Sequence, residues 1–260
     1  MKKYSFISDE KGVSETLGYI FILGIIIASI SIIYVHTSSE LSTSQDIVKY
    51  RSMVQGFRKI QNIIDYTAYA NNPEKTIRIL INSGRVYITG NDTIKIEVRM
   101  NNTTQYQYQG EMGSIEYSYK DQKISFENGG VWLKKDDQVS MIFEPRIFIY
   151  KKNVNNETIV FIALVKIQGR DSVAGSGFVD LKVKFNNTDS RIFDGGGYIN
   201  MNITSEYAEA WEDYFDGMRG YVNNTVLQTQ LSGNTVSVQI YFDRLILTLY
   251  TIDTEIQLHS

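Results

Sequence analysis

The sequence predicts an α+β protein. A long N-terminal transmembrane and stem helix packs on an antiparallel β-rich extracellular domain, a sandwich or strongly bent sheet, with one late helix. Three observations carry this expectation. Residues 13–35 form one apolar stretch, free of charge from Leu17 onward. Apolar side chains then recur every three or four residues as far as Ala70, the spacing of one helix face. From Thr76 the period becomes two, as in Ile94-Lys95-Ile96-Glu97-Val98, the alternation of a half-buried strand. The expected organisation is a polar leader at 1–12, a transmembrane helix at 13–36, an amphipathic stem at 37–72 and the β-rich domain at 73–260.

About 20 apolar residues in a helix cross a bilayer's hydrocarbon core. The apolar stretch is that long, and no Ala-x-Ala cleavage pattern follows it, so it does not read as a secretory signal that is removed beyond its apolar core. Lys2, Lys3 and Lys11 precede it, whereas the first basic residue after it is Lys49. The positive-inside bias therefore places the N-terminus in the cytoplasm and the C-terminal domain outside, in a single-pass cell-membrane protein. Tyr19 and Tyr34 are suited to anchor the two interfaces, and Gly24 and Ala28 form a small-residue face.

In the stem, Ile47, Tyr50, Val54, Phe57, Ile60 and Ile64 make the apolar face, with Lys49, Ser52, Gln55, Lys59 and Asn62 between them. The pattern ends at Asn71-Asn72-Pro73, where proline cannot continue a helix. A continuous helix from Val13 to Ala70 would be about 85–90 Å long. The Ser/Thr-rich residues 37–44 are a place for it to bend or break.

Beyond Thr76, residues 77–81 and 85–89 flank Asn82-Ser83-Gly84, a hairpin signal. Further strands are predicted at 114–119, 123–127, 130–133, 138–143 and 147–150. The run Thr158-Ile159-Val160-Phe161-Ile162-Ala163-Leu164-Val165 is expected to be a central strand buried on both faces. Strands at 178–185, 198–204, 236–242 and 245–251 complete the set, with Asp194-Gly195-Gly196-Gly197 as a turn. The late helix covers 205–218: Ser205 is its N-cap, and Tyr207, Trp211, Phe215 and Met218 form its core face.

Composition narrows the chemistry. A formal charge of −3 offers no basic face for nucleic acid. No cysteine is present, so neither disulfides nor thiolate chemistry is available. The two histidines, His36 and His259, lie at the membrane exit and one residue from the end, which argues against zinc sites and Ser/His nucleophile systems. The paired carboxylates Asp136/Asp137 and Asp213/Asp216 read as solvated surface. No catalytic residue, metal ligand or cofactor is predicted, and the chain is not expected to be an enzyme. Seven Asn-x-Ser/Thr acceptors occur, at Asn91, Asn101, Asn102, Asn156, Asn186, Asn202 and Asn223. They fit an exported, glycan-carrying domain. Asn202, inside a predicted strand, is the least suited to carry a glycan.

The residues Lys11-Gly12-Val13-Ser14-Glu15-Thr16-Leu17-Gly18-Tyr19 resemble the class III signal peptide of archaeal type IV pilin-like proteins. The resemblance implies that a prepilin-type peptidase acts as a transient partner, cutting between Gly12 and Val13 and leaving the apolar helix on the mature protein. It also implies that Glu15 pairs with the new N-terminal amine of a neighbouring pilin-like subunit, neutralising both in lipid. Many archaeal members read Val-Ser-Pro-Val-Ile-Gly at this place, and the family's common glutamate stands at the fifth mature position, which here is Leu17. Residues 202–215 also resemble a recurring element of archaeal surface proteins with pilin-type N-termini. The expected partners are the lipid bilayer, the peptidase and other pilin-like subunits. The expected function is a pilin-like surface protein, a structural, adhesion or minor-pilin component. The alternative is a non-polymerising single-pass surface binding protein, and an anchored carbohydrate-active enzyme stands third.

Overall fold

A computed structural model describes residues 9–70, 73–152, 156–222 and 225–259. The chain divides into two compact units, Met1–Tyr50 and Arg51–Ser260. The first helix, α1 (Asp9–Tyr69), contributes to both. It runs through residues 37–44 without interruption, so the expected break is not there. Three serines of α1 bond within the helix. Ser29 and Ser31 donate to the carbonyls of Ile25 and Ile27, each at 2.8 Å, and Ser38 donates to that of Val35 at 3.0 Å. Each hydroxyl is satisfied within its own helix rather than drawing the backbone elsewhere. Within the first unit, Thr16–Ser38 is a 23-residue segment of mean hydropathy 2.4 with none of its apolar surface buried, long and apolar enough to span a membrane.

The second unit begins with the last five turns of α1. Met53, Phe57, Ile60, Ile64 and Ala68 are buried at three- and four-residue spacing. The predicted stripe therefore holds from Phe57 onward, but Met53 takes the place expected for Val54, and Ile47 is 48% exposed. Two polar side chains tie the segment down. Gln61 Nε2 donates to the carbonyls of Gly129 (2.8 Å) and Glu144 (3.0 Å), and Arg146 clasps Asp65 at 2.9 and 2.5 Å.

Among the described residues, fourteen strands and a second helix follow. The first group is β1 (Glu74–Ile81), β2 (Arg85–Thr89), β3 (Thr93–Met100), β4 (Thr103–Glu111) and β5 (Ser114–Tyr119). Next come β6 (Gln122–Glu127), β7 (Gly130–Lys135), β8 (Gln138–Phe143), β9 (Arg146–Lys151), β10 (Thr158–Gln168) and β11 (Ser172–Ala174). Last are β12 (Gly177–Thr204), α2 (Ala208–Val222), β13 (Leu227–Ser232) and β14 (Thr235–His259). One sheet has the order β4-β3-β12-β14-β10-β9, with β1 beside β12 and β13 beside β14; the other has the order β11-β2-β5-β6-β7-β8.

Four expectations change. The first concerns β1 and β2, which are not a hairpin: β1 pairs with β12, whereas β2 pairs with β5 and β11. Asn82-Ser83-Gly84 carries the chain from one sheet to the other, held by the Tyr117 hydroxyl donating to the Ser83 carbonyl at 2.7 Å. Second, the strands predicted at 178–185 and 198–204 are parts of one strand, β12, and those at 236–242 and 245–251 are parts of β14. Third, the residues taken as a turn at Asp194-Gly195-Gly196-Gly197 form one of two bulges in the β12–β14 ladder; the other lies between Phe185 and Asn187. A bulge absorbs extra residues and increases twist without ending the strand. Finally, the sheet is not purely antiparallel, because β10 runs parallel to β14. β10 does sit between two partners with Val160, Ile162, Ala163, Leu164 and Val165 wholly buried, as a two-face-buried central strand requires.

The main core lies between the inner face of the larger sheet, α2 and β7. Ile96, Val98, Ile162, Ile199, Met201 and Ile240 supply the sheet side. On α2 and its leading turn, Tyr207, Trp211 and Phe215 are fully buried and Met218 is partly so, as the helical spacing predicts. The rings of Trp211 and Trp132 meet at 4.3 Å between centroids.

Candidate functional site

Beyond the glycine bulge, the outer face of the larger sheet carries an unusual set of side chains. Ile199, Met201, Ile203, Val238 and Ile240 point into the core, so period-two alternation turns Tyr198, Asn200, Asn202, Ser237, Gln239 and Tyr241 outward. The register lines them up across strands. Tyr198 lies between Arg99 and Tyr241. Asn200 lies between Glu97 and Gln239, and Gln239 in turn faces Gln228. In the next row Asn202 lies between Lys95 and Ser237, and Ser237 faces Gln230. Gln239 Nε2 donates to Asn200 Oδ1 at 2.8 Å. The Tyr198 and Tyr241 rings meet edge to face at 5.5 Å.

The bulge shapes this surface. Gly195 and Gly196 have φ of +109° and +84°, and a Cβ on Gly197 would lie 2.4 Å from the Arg99 carbonyl oxygen, so the turn-like run is imposed by backbone geometry. Three hollows follow one another along the face. One of about 330 Å³ lies over Asn200, Asn202, Gln228 and Gln239. A second, of about 400 Å³, is bounded by Asn200, Gln239, Tyr198, Tyr241 and the glycine run. The largest, about 940 Å³, extends past Tyr198 and Tyr241 to Lys151, Asp194, Asp243 and Arg244. At that end Arg244 grips both oxygens of Asp194. The Tyr241 hydroxyl donates to Asp243 Oδ1 at 2.8 Å, and the Thr158 amide donates to Asp243 Oδ2 at 2.7 Å. The Asp243 hydrogen bond, with some burial, raises the Tyr241 phenol above its ordinary range. The surface is rich in planar donors and acceptors and in tyrosine faces.

A second polar cluster is internal. Glu127 is fully buried; its Oε1 accepts from Trp211 Nε1 at 3.0 Å and its Oε2 accepts from the Ser205 hydroxyl at 2.6 Å. Ser205 Oγ also accepts from the Tyr207 amide at 3.0 Å, the N-cap bond expected of it. Asp92 and Glu116 are buried nearby in the same network. Tyr87 and Ser114 donate to Glu116 at 2.6 and 3.2 Å, and Glu206 takes both Lys123 and Lys134, at 2.8 and 2.6 Å. Burial pushes the Asp92 carboxyl up to about 6; the charges of Glu116 and Glu206 add to this, while a hydrogen bond from Ser114 opposes it. Burial, reinforced by Asp92, also raises Glu127 above the carboxylate range against the bonds from Ser205 and Trp211. This network joins β5, β6 and the start of α2 and is structural in character.

The residues singled out from sequence are scattered. Gly12, Val13 and Glu15 lie in the first turns of α1, which begins at Asp9, so the bond expected to be cut is within helical backbone. Asn91, Asn101, Asn102 and Asn156 are exposed. Asn101 and Asn102 border the 400 Å³ hollow, and Asn156 borders the largest one. Asn186 is exposed, but its Nδ2, the atom that would carry a glycan, donates to both oxygens of Asp253 at 2.9 Å. Asn202 belongs to the outward amide rows, and Asn223 lies outside the described residues. Asp216 pairs with Arg219 and accepts from the Thr229 hydroxyl at the surface. Among the described residues, no three His, Asp or Glu side chains are grouped to hold a metal ion.

Sequence reasoning missed the amide face. The signal was present within each strand, as Asn200-Met201-Asn202, Gln228-Thr229-Gln230 and Ser237-Val238-Gln239. Nothing local shows that these three segments are neighbours.

No solved structure matches this chain. An "Uncharacterized protein" of Archaeoglobus fulgidus is 24% identical over 272 residues, spanning 85% of this chain and 88% of the relative. The pattern of a protein family matches residues 11–255, which include the apolar helix and nearly the whole β-rich unit. The chain therefore belongs to the family of unknown function DUF7289.

Proposed function

We propose that this protein is a membrane-anchored, pilin-like cell-surface protein, held by its N-terminal helix with the β-rich unit displayed outside the cell, in surface assembly or adhesion. The observation that carries the reading is Thr16–Ser38, an apolar helical segment with no protein packed on it. Such a surface needs lipid or other apolar helices around it. The three lysines before the segment support a cytoplasmic N-terminus. The exposed acceptors Asn91, Asn101, Asn102 and Asn156 support an exported, glycan-bearing unit. The reading includes removal of residues 1–12 by a prepilin-type peptidase and a subunit-pairing role for Glu15. It assigns no catalytic step, cofactor or nucleic-acid partner.

N-terminal analysis of the membrane-extracted chain is expected to begin at Val13, and Gly12→Arg to leave the leader in place. A mature chain starting at Met1 would reduce the reading to an uncleaved anchor. Glu15→Ala is expected to impair filament incorporation while leaving membrane insertion intact; normal incorporation would remove the pairing role. A second reading, a surface binding protein that does not polymerise, is favoured by the hollows over the amide face. Cross-linking in native membranes separates the two: ladders of identical or pilin-like neighbours support assembly, and an isolated chain supports the binding protein.

A further inference from the structure

We infer that the outer face of β12, β13 and β14 is a track for a neutral polysaccharide chain. The inference deepens the surface-binding reading and rests on it. Its first support is the choice of residue. Asn200, Asn202, Gln228, Gln230 and Gln239 occupy outward strand positions in one continuous patch. Asparagine is disfavoured in strands, and a solvated sheet face is satisfied equally well by threonine or by charged residues. Local choices that oppose propensity concentrate at functional surfaces.

The second support is chemical match. A primary amide presents a carbonyl acceptor and two N–H donors in one plane, and a sugar hydroxyl both donates and accepts. Neighbouring amides can thus bridge neighbouring hydroxyls. The Gln239–Asn200 bond fixes two of these amides relative to one another at 2.8 Å and uses one hydrogen-bonding position on each, leaving the others for a ligand. At the end of the amide rows, Tyr198 and Tyr241 offer the flat apolar faces against which the C–H side of a pyranose ring packs, with hydroxyls at the rim.

Charge and dimensions select the class. The path from Asn202 over Gln239 to Tyr241 carries no ionised side chain. The charges beside it lie on β3, where Lys95, Glu97 and Arg99 alternate in sign next to Asn202, Asn200 and Tyr198, and at the far end, where Arg244 grips Asp194. Nucleic acid requires clustered cations along its path, which the alternating Lys95, Glu97 and Arg99 do not supply; a protein partner takes its anchors at the centre of the footprint, whereas here the two tyrosines stand at one end of the amide rows. Four residues of strand from Tyr198 to Asn202 cover about 14 Å, and adjacent strands are about 4.8 Å apart, room for about three sugar rings. The hollows over the amides and over the tyrosines share Asn200 and Gln239, so the surface is continuous as a chain-like ligand needs.

The test uses the full chain in a detergent without a sugar headgroup, applied to an array of neutral hexose oligosaccharides of increasing length, with heparin as the charged probe. At least one neutral series is expected to bind, with affinity rising with chain length and levelling off after about three or four rings, and to survive about 0.5 M salt, which screens exposed charges. The double variant Asn200→Ala/Gln239→Ala is expected to lose about tenfold or more, the loss of two hydrogen bonds. Tyr198→Ala is expected to weaken binding and Tyr198→Phe to retain it. Three results would overturn the inference: no neutral oligosaccharide captured, capture undiminished in a double variant that melts like the parent, or capture of heparin alone that salt abolishes. Membrane fractionation is scored separately. A chain that fractionates with membranes yet captures no sugar sinks only the track, whereas a chain recovered soluble from cells sinks the surface reading whatever the array shows.

Discussion

Asp92 and Glu127 are carboxyls whose burial sets how stability varies with pH. Asp92 has a folded value of about 6 against an ordinary 3.8, so the folded state holds its proton more tightly than the unfolded state. Below about pH 4 the group is protonated in both states and contributes nothing. As pH rises to about 6, stability falls by about 3 kcal/mol, and the penalty persists above that. Asp92→Asn is therefore expected to stabilise the protein by up to about 3 kcal/mol at pH 7.5 and to change little at pH 3.5, read by urea denaturation at both. An equal effect at the two pH values would remove the burial explanation. Glu127 shifts in the same direction but also accepts two buried donors, Trp211 Nε1 and Ser205 Oγ. Glu127→Ala strands both, at a cost of about 3 kcal/mol. Glu127→Gln keeps an acceptor for the indole and lets the serine hydroxyl turn, so it is expected to cost much less. Equal loss in the two variants would show that shape, not hydrogen bonding, is what matters there.

At the scale of elements, the last turns of α1 belong to the β-rich unit through one narrow stripe. Phe57 is fully buried and Ile47 is 48% exposed. Phe57→Ala is expected to cost about 3–5 kcal/mol and Ile47→Ala to stay within about 0.5 kcal/mol, measured by denaturation of the detergent-solubilised chain. Similar losses for both would mean that the helix packs on another face. The spacing of Phe57, Ile60 and Ile64 made this stripe readable, and the cap and apolar face of α2 were readable for the same reason, since helix contacts are local in sequence. Most strands were found, β4, β11 and β13 excepted, but several were joined wrongly. Asn82-Ser83-Gly84 has hairpin composition, yet β1 finds a better partner in β12. Asn186-Asn187-Thr188 and Gly195-Gly196-Gly197 have turn composition, yet the β12–β14 pairing continues past both. Turn residues permit a reversal; the partner strand decides whether one occurs.

At the scale of the molecule, the β-rich unit from Arg51 to Ser260 contains its own core. A chain truncated to residues 51–260 is expected to be monodisperse without detergent and to melt in one cooperative transition, whereas the full chain should need detergent to stay dispersed. Aggregation of the truncated chain in a detergent-free gel-filtration run would show that residues before Arg51 complete the fold. The apolar span, the helical stripe, the absence of cysteine and the alternation of most strands follow from the sequence alone, because each depends on residues within a few positions of one another. The parallel pairing of β10 with β14, the two-sheet division, the bulge at Gly197 and the meeting of Asn200 with Gln239 and Gln228 were decided only in the folded molecule. These join residues far apart along the chain, and only the competition among possible strand partners for backbone hydrogen bonds and core contacts selects them.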